Sequence, residues 1–592
     1  MVKPEAEYVF EVSFEVCNKV GGIHTVLASK AAEMMKYYRH YYPIGPFFEN
    51  KAKEALIEQD PPQLLKKAFE EVQKIGIKCH YGKWVDAENE PTTILVEHFP
   101  LMDKKNEIKA KLWEDFKIDS YTAGYDFDEP VVWSTAVGML LEQIQKQLKG
   151  KKIVAHFHEW LCGAGLLYLK KNAKNIKTVF TTHATMLGRA LAGSGFPLYE
   201  KLQQIDPGQE AYRANIQAKY LTERISAQNA DIFTTVSEIT GVEAEKILGR
   251  RPEVLVLNGI EMRKFPTIEE TSIKHITCRQ KIREFLTFYF FPHYDFPLEH
   301  NLIYFLSGRN EFRNKGIDVY IKALAKLNAQ LKKDKTNRTI SAFIWVPLGN
   351  KGRRTELIEN KSYYQHIKNF VQWNSKEILK SIIYDMILEK DFSKDTIFTK
   401  KFLNEARKNI IHFKRSGDPP LSTHYIENEE QNEIIQALKN HGLTNKKEDK
   451  VKVILYPVYL AGDDGLINLP YMDALAGTHL GIYPSYYEPW GYTPLENAGM
   501  GVASITTDLA GFGRFIKDKT SKQHPGIWVL ERYHKNEHEV VEQLFNLMYM
   551  YAKFTHEERV ENKLNAKEAA ESADWKILIK NYIEAHNLAL KK

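Results

Sequence analysis

The stretch Asn301-Leu-Ile-Tyr-Phe-Leu-Ser307, followed at once by Gly308-Arg-Asn-Glu-Phe-Arg-Asn-Lys-Gly316, decides how the chain is read. The first seven residues are nearly continuous in apolar character, the pattern of a parallel strand covered on both faces. A short charged loop then leads into a helical pattern. The same strand–loop–helix unit recurs at 8–14, 153–157, 177–182, 231–236 and 253–257 in the first half, and at 341–346, 450–456, 479–483 and 501–506 in the second. Two such series, broken after Asn258-Gly259, predict an α/β protein of two facing doubly wound domains.

The expected domains are 1–262, completed by a C-terminal helix at 575–592, and 263–574. Between about 359 and 415 the pattern becomes Lys-rich and helical, with runs at 363–373, 376–388 and 400–413, so an insertion of helices into the second domain is expected. It reads either as a solvated excursion or as an oligomerisation hairpin. The segment 574–590 is amphipathic and is expected to pack back on the first domain.

The 592 residues are 43% apolar and 27% charged, ordinary for a folded chain, and +6 net charge gives no warrant for nucleic-acid or membrane partners. Cys17, Cys79, Cys162 and Cys278 lie far apart with no CxxC pair, which suggests neither a zinc ribbon nor a disulfide framework. No apolar run approaches the ~18–20 residues of a membrane span, and the N-terminus has no signal-peptide core, so a soluble intracellular protein is expected.

In open parallel sheets ligands sit beyond the carboxyl ends of the strands, and the unusual residues cluster there. After the first strand, Lys19-Val20-Gly21-Gly22 opens a helix whose amides and start would suit a phosphate, or it is a plain strand–helix turn. The strand 177–182 exits into His183, with Arg189 six residues on, a pairing suited to a sugar and a phosphate. His156, His158 and Glu159 imitate a metal cluster but lack a further ligand set, so structural roles are expected, with His158 a candidate cleft residue. Arg309 and Lys315 bracket the loop after 301–307; two fixed cations at a helix start would neutralise a diphosphate leaving group, the demand in glycosyl transfer from a nucleotide sugar.

The most informative segment is Tyr483-Pro-Ser-Tyr-Tyr-Glu488-Pro-Trp-Gly-Tyr-Thr-Pro-Leu-Glu496. It reads as strand, loop and helix, with Thr493 at the N-cap, Pro494 at N1 and Glu496 closing a capping box. Glu488 stands among Tyr486, Tyr487 and Trp490 and needs partners, which sugar hydroxyls would supply. The amides of Gly491, Tyr492 and Thr493 would point at the same phosphates as Arg309 and Lys315.

At these residues the chain resembles the eukaryotic-type glycogen synthases, retaining glycosyltransferases of the GT-B fold. The resemblance runs through Lys19-Val-Gly-Gly, Val154–Trp160, Phe180–Thr185 with Arg189, Arg309 with Asn314-Lys315-Gly316, Pro419-Pro420, Thr423-His424 and the block 479–513. It implies transfer of glucose from UDP-glucose to the 4-hydroxyl of a glycogen non-reducing end, with no cofactor and no metal. Glu488 would hold the glucose, and Glu496 would contact the ribose or orient the site. Arg309 and Lys315 would stabilise the diphosphate, with Lys19, Gly21 and Gly22 near the donor. His183 and Arg189 would sit at the reacting sugar and phosphate, and Tyr471 against the uracil. Asp126-Phe127-Asp128, an Asp-x-Asp of the kind that holds metal in unrelated glycosyltransferases, is expected to cap a helix or lie on the surface.

The resemblance also favours a cytoplasmic tetramer. Regulated members carry an Arg-rich helix before Asp574-Trp575 that binds the phosphate of glucose-6-phosphate. Here 556–571 holds five acids (557, 558, 561, 568, 571) against three bases (559, 563, 567), so a phosphate is expected to meet net repulsion. Rival readings are an ADP-glucose-dependent α-glucan synthase and an inactive glycogen-associated scaffold. A phosphorylase-like enzyme would need a pyridoxal-bearing lysine, and none is identified.

Overall fold

The computed structural model describes residues 3–519 and 523–592; Met1 and Val2, at the start of the expected first domain, lie outside them. Among the described residues the first sheet has nine strands: β1 (Tyr8–Val12), β2 (His40–Pro46), β3 (Leu56–Glu58), β4 (Lys78–Trp84), β5 (Thr92–Glu97), β6 (Ile153–His158), β7 (Ile176–Thr182), β8 (Ile232–Thr235) and β9 (Val254–Leu255). Their order is β3-β4-β5-β2-β1-β6-β7-β8-β9. All neighbours are parallel except the antiparallel edge β3-β4-β5.

The second half supplies β10 (Asn301–Ser307), β11 (Thr339–Trp345), a small antiparallel pair of β12 (Asn350–Arg353) with β13 (His424–Ile426), and then β14 (Val451–Tyr456), β15 (Leu480–Ile482), β16 (Ala503–Thr507) and β17 (Ile527–Leu530). The main sheet is wholly parallel, in the order β14-β11-β10-β15-β16-β17. All seven residues of β10 are buried, as its apolar run requires. In each sheet the order reverses beside one strand, β1 next to β6 and β10 next to β15. The crevices that bind ligands open beyond the carboxyl ends of such pairs. The loops that carry the candidate residues leave from these ends.

Strands β2 to β5, β12, β13 and β17 were not expected from the sequence. The inserted helices also differ from expectation: the runs 363–373 and 376–388 belong to one continuous helix, Thr355–Ile387, followed by a short turn and the helix Lys400–Phe413. Along those 33 residues only Leu357, Asn360 and Asp385 are buried.

The C-terminal helix Trp575–Lys591 crosses back to the first sheet, where it meets the helix Gly22–Tyr37 and strands β7, β8 and β9. Asp574 caps it by accepting from the Lys576 amide. Trp575, Leu578, Ile579, Tyr582 and Ile583 recur at helical spacing and are buried in the shared core. The Trp575 indole N–H donates to the Ser29 hydroxyl at 2.8 Å. Trp575→Ala should therefore destabilise the protein by ~3–5 kcal/mol. Ile577→Ala, at a position 48% exposed, should stay within ~0.5 kcal/mol. Urea titrations of both variants decide this, and equal midpoints would show that the helix does not hold the first core together.

Candidate active site

Beyond β10, residues 308–316 turn back before the helix Ile317–Lys333. Gly316 has φ +71°, and a Cβ there would stand 2.1 Å from the Pro484 carbonyl oxygen, so only glycine permits this approach. The Asn314 carbonyl then accepts from the amides of Tyr486 and Tyr487 at 2.8 and 3.3 Å. Lys315 Nζ meets Glu488 Oε2 at 2.5 Å. The adjacent tyrosines reach into the first half: Tyr487 donates to Glu243 at 3.1 Å and Tyr486 to Glu200 at 2.6 Å.

A cavity of about 570 Å³ lies at this junction. Arg189 lines it from the first half, and Arg309, Lys315, Tyr487 and Glu488 line it from the second. Arg309 is exposed and pairs with Glu311 at 3.0 Å. Asn314 Oδ1 is buried nearby with no partner among the described residues. The cavity thus combines four cations, Arg189, Arg309, Arg313 and Lys315, with three carboxylates, of which Glu488 is held by Lys315 and Glu311 by Arg309.

The segment from His183 to Arg189 is clamped from below by buried acids. Glu159 Oε1 accepts from the His183 and Ala184 amides at 2.8 and 3.2 Å. Glu223 accepts from the Met186 amide at 2.8 Å and the Thr182 hydroxyl at 3.2 Å. Glu243 accepts from the Thr185 hydroxyl as well as from Tyr487. Burial pushes the carboxyls of Glu159 and Glu223 up, and Glu243 to about 7, because charge is disfavoured away from water. Desolvation, the largest influence on the Arg189 guanidinium, would lower it; Glu159, Tyr487, Glu223 and Glu311 together more than offset that and raise it. None of Glu159, Glu223 and Glu243 was expected at the site. The hydroxyl-rich segment Thr181-Thr182-His183-Ala184-Thr185 was the only trace of their partners in the sequence.

Other expected residues stand outside this cavity. Tyr471, the first residue of the helix Tyr471–Gly477, bonds Ser307 Oγ through its hydroxyl at 3.1 Å. Glu496 lies among Tyr471, Tyr483 and Tyr492, and burial raises its carboxyl to about 7. The expected capping box is not formed. The helix is Tyr492–Gly499, and Gly491 at φ +105° holds the N-cap without a side-chain bond, so Thr493 and Glu496 fall inside the helix. The Lys19–Gly22 turn is exposed, and the helix start expected to meet a phosphate is already met by an internal anion: Glu15 Oε2 accepts from the Gly21 and His24 amides at 2.8 and 2.9 Å.

Asp126 and Asp128 do not cap their helix; Gly124 is at the N-cap, Asp126 pairs with Lys219, and the buried Asp128 pairs with Lys105 and Lys109. Glu11, His156 and His158 form the one group among the described residues whose potential metal-binding atoms lie within 4.8 Å of one another. The Lys30 ammonium is already bonded to Glu11, and this resident cation disfavours a metal ion.

The charge tally over 556–571 also fails at residue level. In the helix His556–Glu571 the acids 557, 561, 568 and 571 are exposed, while Arg559 and Lys563 turn inward toward Arg279. Lys563 Nζ lies 3.0 Å from His275 Nδ1, and burial with these two guanidinium groups lowers it to about 7. The acids thus face solvent and the bases face inward, a separation that the count of charges does not show.

Two facing, mainly parallel sheets with cations and carboxylates between them have the architecture of a glycosyltransferase of the GT-B type. The catalytic domain of starch synthase IV from Arabidopsis thaliana shares this fold, with a TM-score of 0.53 at 14% identity over 99% of this chain and 100% of that one. Residues 11–592 match the family model described as glycogen synthase. The chain is 32% identical over 588 residues to the liver glycogen [starch] synthase of Mus musculus, covering 99% of this chain and 83% of that protein. It is 34% identical over 610 residues to isoform 2 of the Saccharomyces cerevisiae glycogen [starch] synthase, covering 99% and 86%. The chain belongs to the glycogen synthase family. Among the described residues no helix is long and apolar enough to cross a membrane.

A carboxyl raised by folding binds its proton more tightly in the native state, so its stabilising contribution is complete below about pH 4.5 and is lost as pH rises through about 7. Glu243→Gln removes that loss. Relative to wild type, the variant should gain stability between pH 5 and pH 8, by up to ~3 kcal/mol. Denaturation curves at both pH values test this; an unchanged gap means that Glu243 is ionised throughout.

Proposed function

We propose that the protein is a glycogen synthase that transfers glucose from UDP-glucose to the 4-hydroxyl of a glycogen non-reducing end, with retention of the α configuration. The observation that carries this reading is the single cavity shared by Arg189, Arg309, Lys315 and Glu488. In the reaction the bond from C1 to the diphosphate breaks and a bond from C1 to the acceptor oxygen forms on the same face. The acceptor proton passes to the departing phosphate oxygen. The chain's own part is electrostatic: Arg309 and Lys315 take up the charge of the leaving diphosphate, so the reading invokes no metal. Glu488, oriented by Lys315, holds the glucose through its hydroxyls. Arg189 and His183 meet the reacting phosphate and sugar. Tyr471 stacks on the uracil, with Glu496 at the ribose, and Lys19, Gly21 and Gly22 adjoin the donor from the first half. Closure of the two halves excludes the water that would hydrolyse the donor.

In this reading residues 1–262 with 575–592 form one domain and 263–574 the other, and the enzyme is a cytoplasmic tetramer. The exposed row Leu379, Ile383 and Ile387 on the inserted helix, with Trp373 at 91% exposure, supports association through that helix.

Glu488→Gln should lower turnover by at least ~10²-fold while leaving the denaturation midpoint unchanged. Near-normal transfer by the purified variant would refute the assignment. Labelled UDP-glucose should be used in preference to labelled ADP-glucose, and Tyr471→Ala should raise the donor KM; equal use of both donors by the wild type removes the base preference. Light scattering should give a tetramer for the wild type and a smaller species for Ile383→Asp; a wild-type monomer refutes the association.

A further inference from the structure

The first sheet holds a buried polar chain that ends at His183. Glu11 in β1 and Lys30 in the helix Gly22–Tyr37 form an ion pair with no solvent exposure. The same Glu11 oxygen lies 2.8 Å from His158 Nε2 in β6. His158 Nδ1 lies 2.9 Å from His183 Nε2, at the exit of β7. Tyr41 donates to the second Glu11 oxygen, and Lys30 sits 3.9 Å above the Tyr582 ring. Burying charges in a sheet core is expensive, and an apolar pair of similar volume would be at least as stable. The chain therefore invites a use beyond packing.

Protons can be placed along it. Burial would raise the Glu11 carboxyl, but Lys30 and His158 more than offset this and hold it well below the usual range, so it is an anion that only accepts. His158 is lowered by burial and is neutral near pH 7, so Nε2 carries its proton to Glu11 and Nδ1 is left as an acceptor. His183 must then donate from Nε2. Burial, His158 and Lys30 lower His183 well below its ordinary range, so it too is neutral and its Nδ1 has no proton. No described residue bonds that Nδ1, and it lies on a residue at the carboxyl end of the sheet, beside the Arg189 segment.

We infer that Glu11, Lys30 and His158 are positioning residues that lock His183 in the tautomer presenting a bare Nδ1 to the cleft, where it accepts a hydrogen bond from a hydroxyl of the transferred sugar. The inference rests on the function proposed above only for the identity of that donor; the tautomer itself does not depend on it. Because the Glu11 oxygen that meets His158 also accepts from Lys30, the order reverses only when both are changed. In Glu11→Gln/Lys30→Met, Tyr41 donates to the amide oxygen, the amide N–H faces His158 Nε2, His158 Nδ1–H donates to His183 Nε2, and His183 shows the sugar a donor instead of an acceptor.

The direct test is nitrogen NMR of the full-length protein labelled at histidine. Wild-type His183 should show a protonated Nε2 and an unprotonated Nδ1. A protonated Nδ1 overturns the inference whether or not the enzyme transfers glucose, which separates its failure from failure of the proposed function. In activity, Glu11→Gln/Lys30→Met should lower kcat roughly tenfold to hundredfold with little change in donor KM, the scale seen for outer partners that orient a ligand-contacting histidine. Among 2-, 3-, 4- and 6-deoxyglucose nucleotide donors, one should abolish the difference between wild type and variant. A difference that persists for all four donors overturns the sugar contact. This double variant leaves no unpaired buried charge and should show a protonated Nδ1 and an unprotonated Nε2 at His183. If it folds and keeps both the wild-type tautomer and kcat, Glu11 does not position His183.

Discussion

The second-half wall of the candidate site depends on the approach of two backbones at Gly316. With φ +71° and the Pro484 carbonyl where a Cβ would be, this position admits no side chain. The approach lets Asn314 receive the Tyr486 and Tyr487 amides and sets Lys315 against Glu488. A lysine is a flexible point charge on a long stem; the carboxylate partner gives it one place to be. The same segment sends Tyr486 and Tyr487 across to Glu200 and Glu243, so one close contact orders the cation, the carboxylate and the clasp between the two halves.

On the other side of the cleft the ordering device is different. The His183–Arg189 segment is held by carboxylates beneath it, each satisfied by amide or hydroxyl donors. Unpartnered buried carboxyls would be far too costly, and these are tolerable because every one has donors and because burial favours their neutral forms. A rigid floor under a loop is what a site needs when binding must fix the reacting atoms in line. One half of the cleft is built on backbone geometry and the other on buried acids.

How much of this could be read from the chain follows from what each feature depends on. Strands β10 and β14 announce themselves because burial on both faces demands nearly continuous apolar residues. Strand β2, His40-Tyr-Tyr-Pro-Ile-Gly-Pro46, hides behind two prolines and a glycine, and strand β4 behind two lysines. Arg189, Arg309, Lys315 and Glu488 were legible because charge at a strand exit is unusual. Glu159, Glu223 and Glu243 were not, since three acids on separate elements meet only after folding. Thr493-x-x-Glu496 has the letters of a capping box, but the left-handed Gly491 takes the cap first. The turn at Gly21-Gly22 has the shape of a phosphate site, yet Glu15 is close enough to claim its amides. The acids of 556–571 outnumber the bases in a count, but the two separate on a helix, where position four residues on is the same face.

The central claim is that a diphosphate leaving group is received by Arg309 and Lys315 while Glu488 holds the sugar. A crystal structure of the protein soaked with UDP tests it most directly. The account predicts the diphosphate oxygens at ~2.7–3.1 Å from the Arg309 guanidinium and the Lys315 ammonium, beside Glu488. A diphosphate bound with neither the Arg309 guanidinium nor the Lys315 ammonium within hydrogen-bond distance of its oxygens would contradict the account.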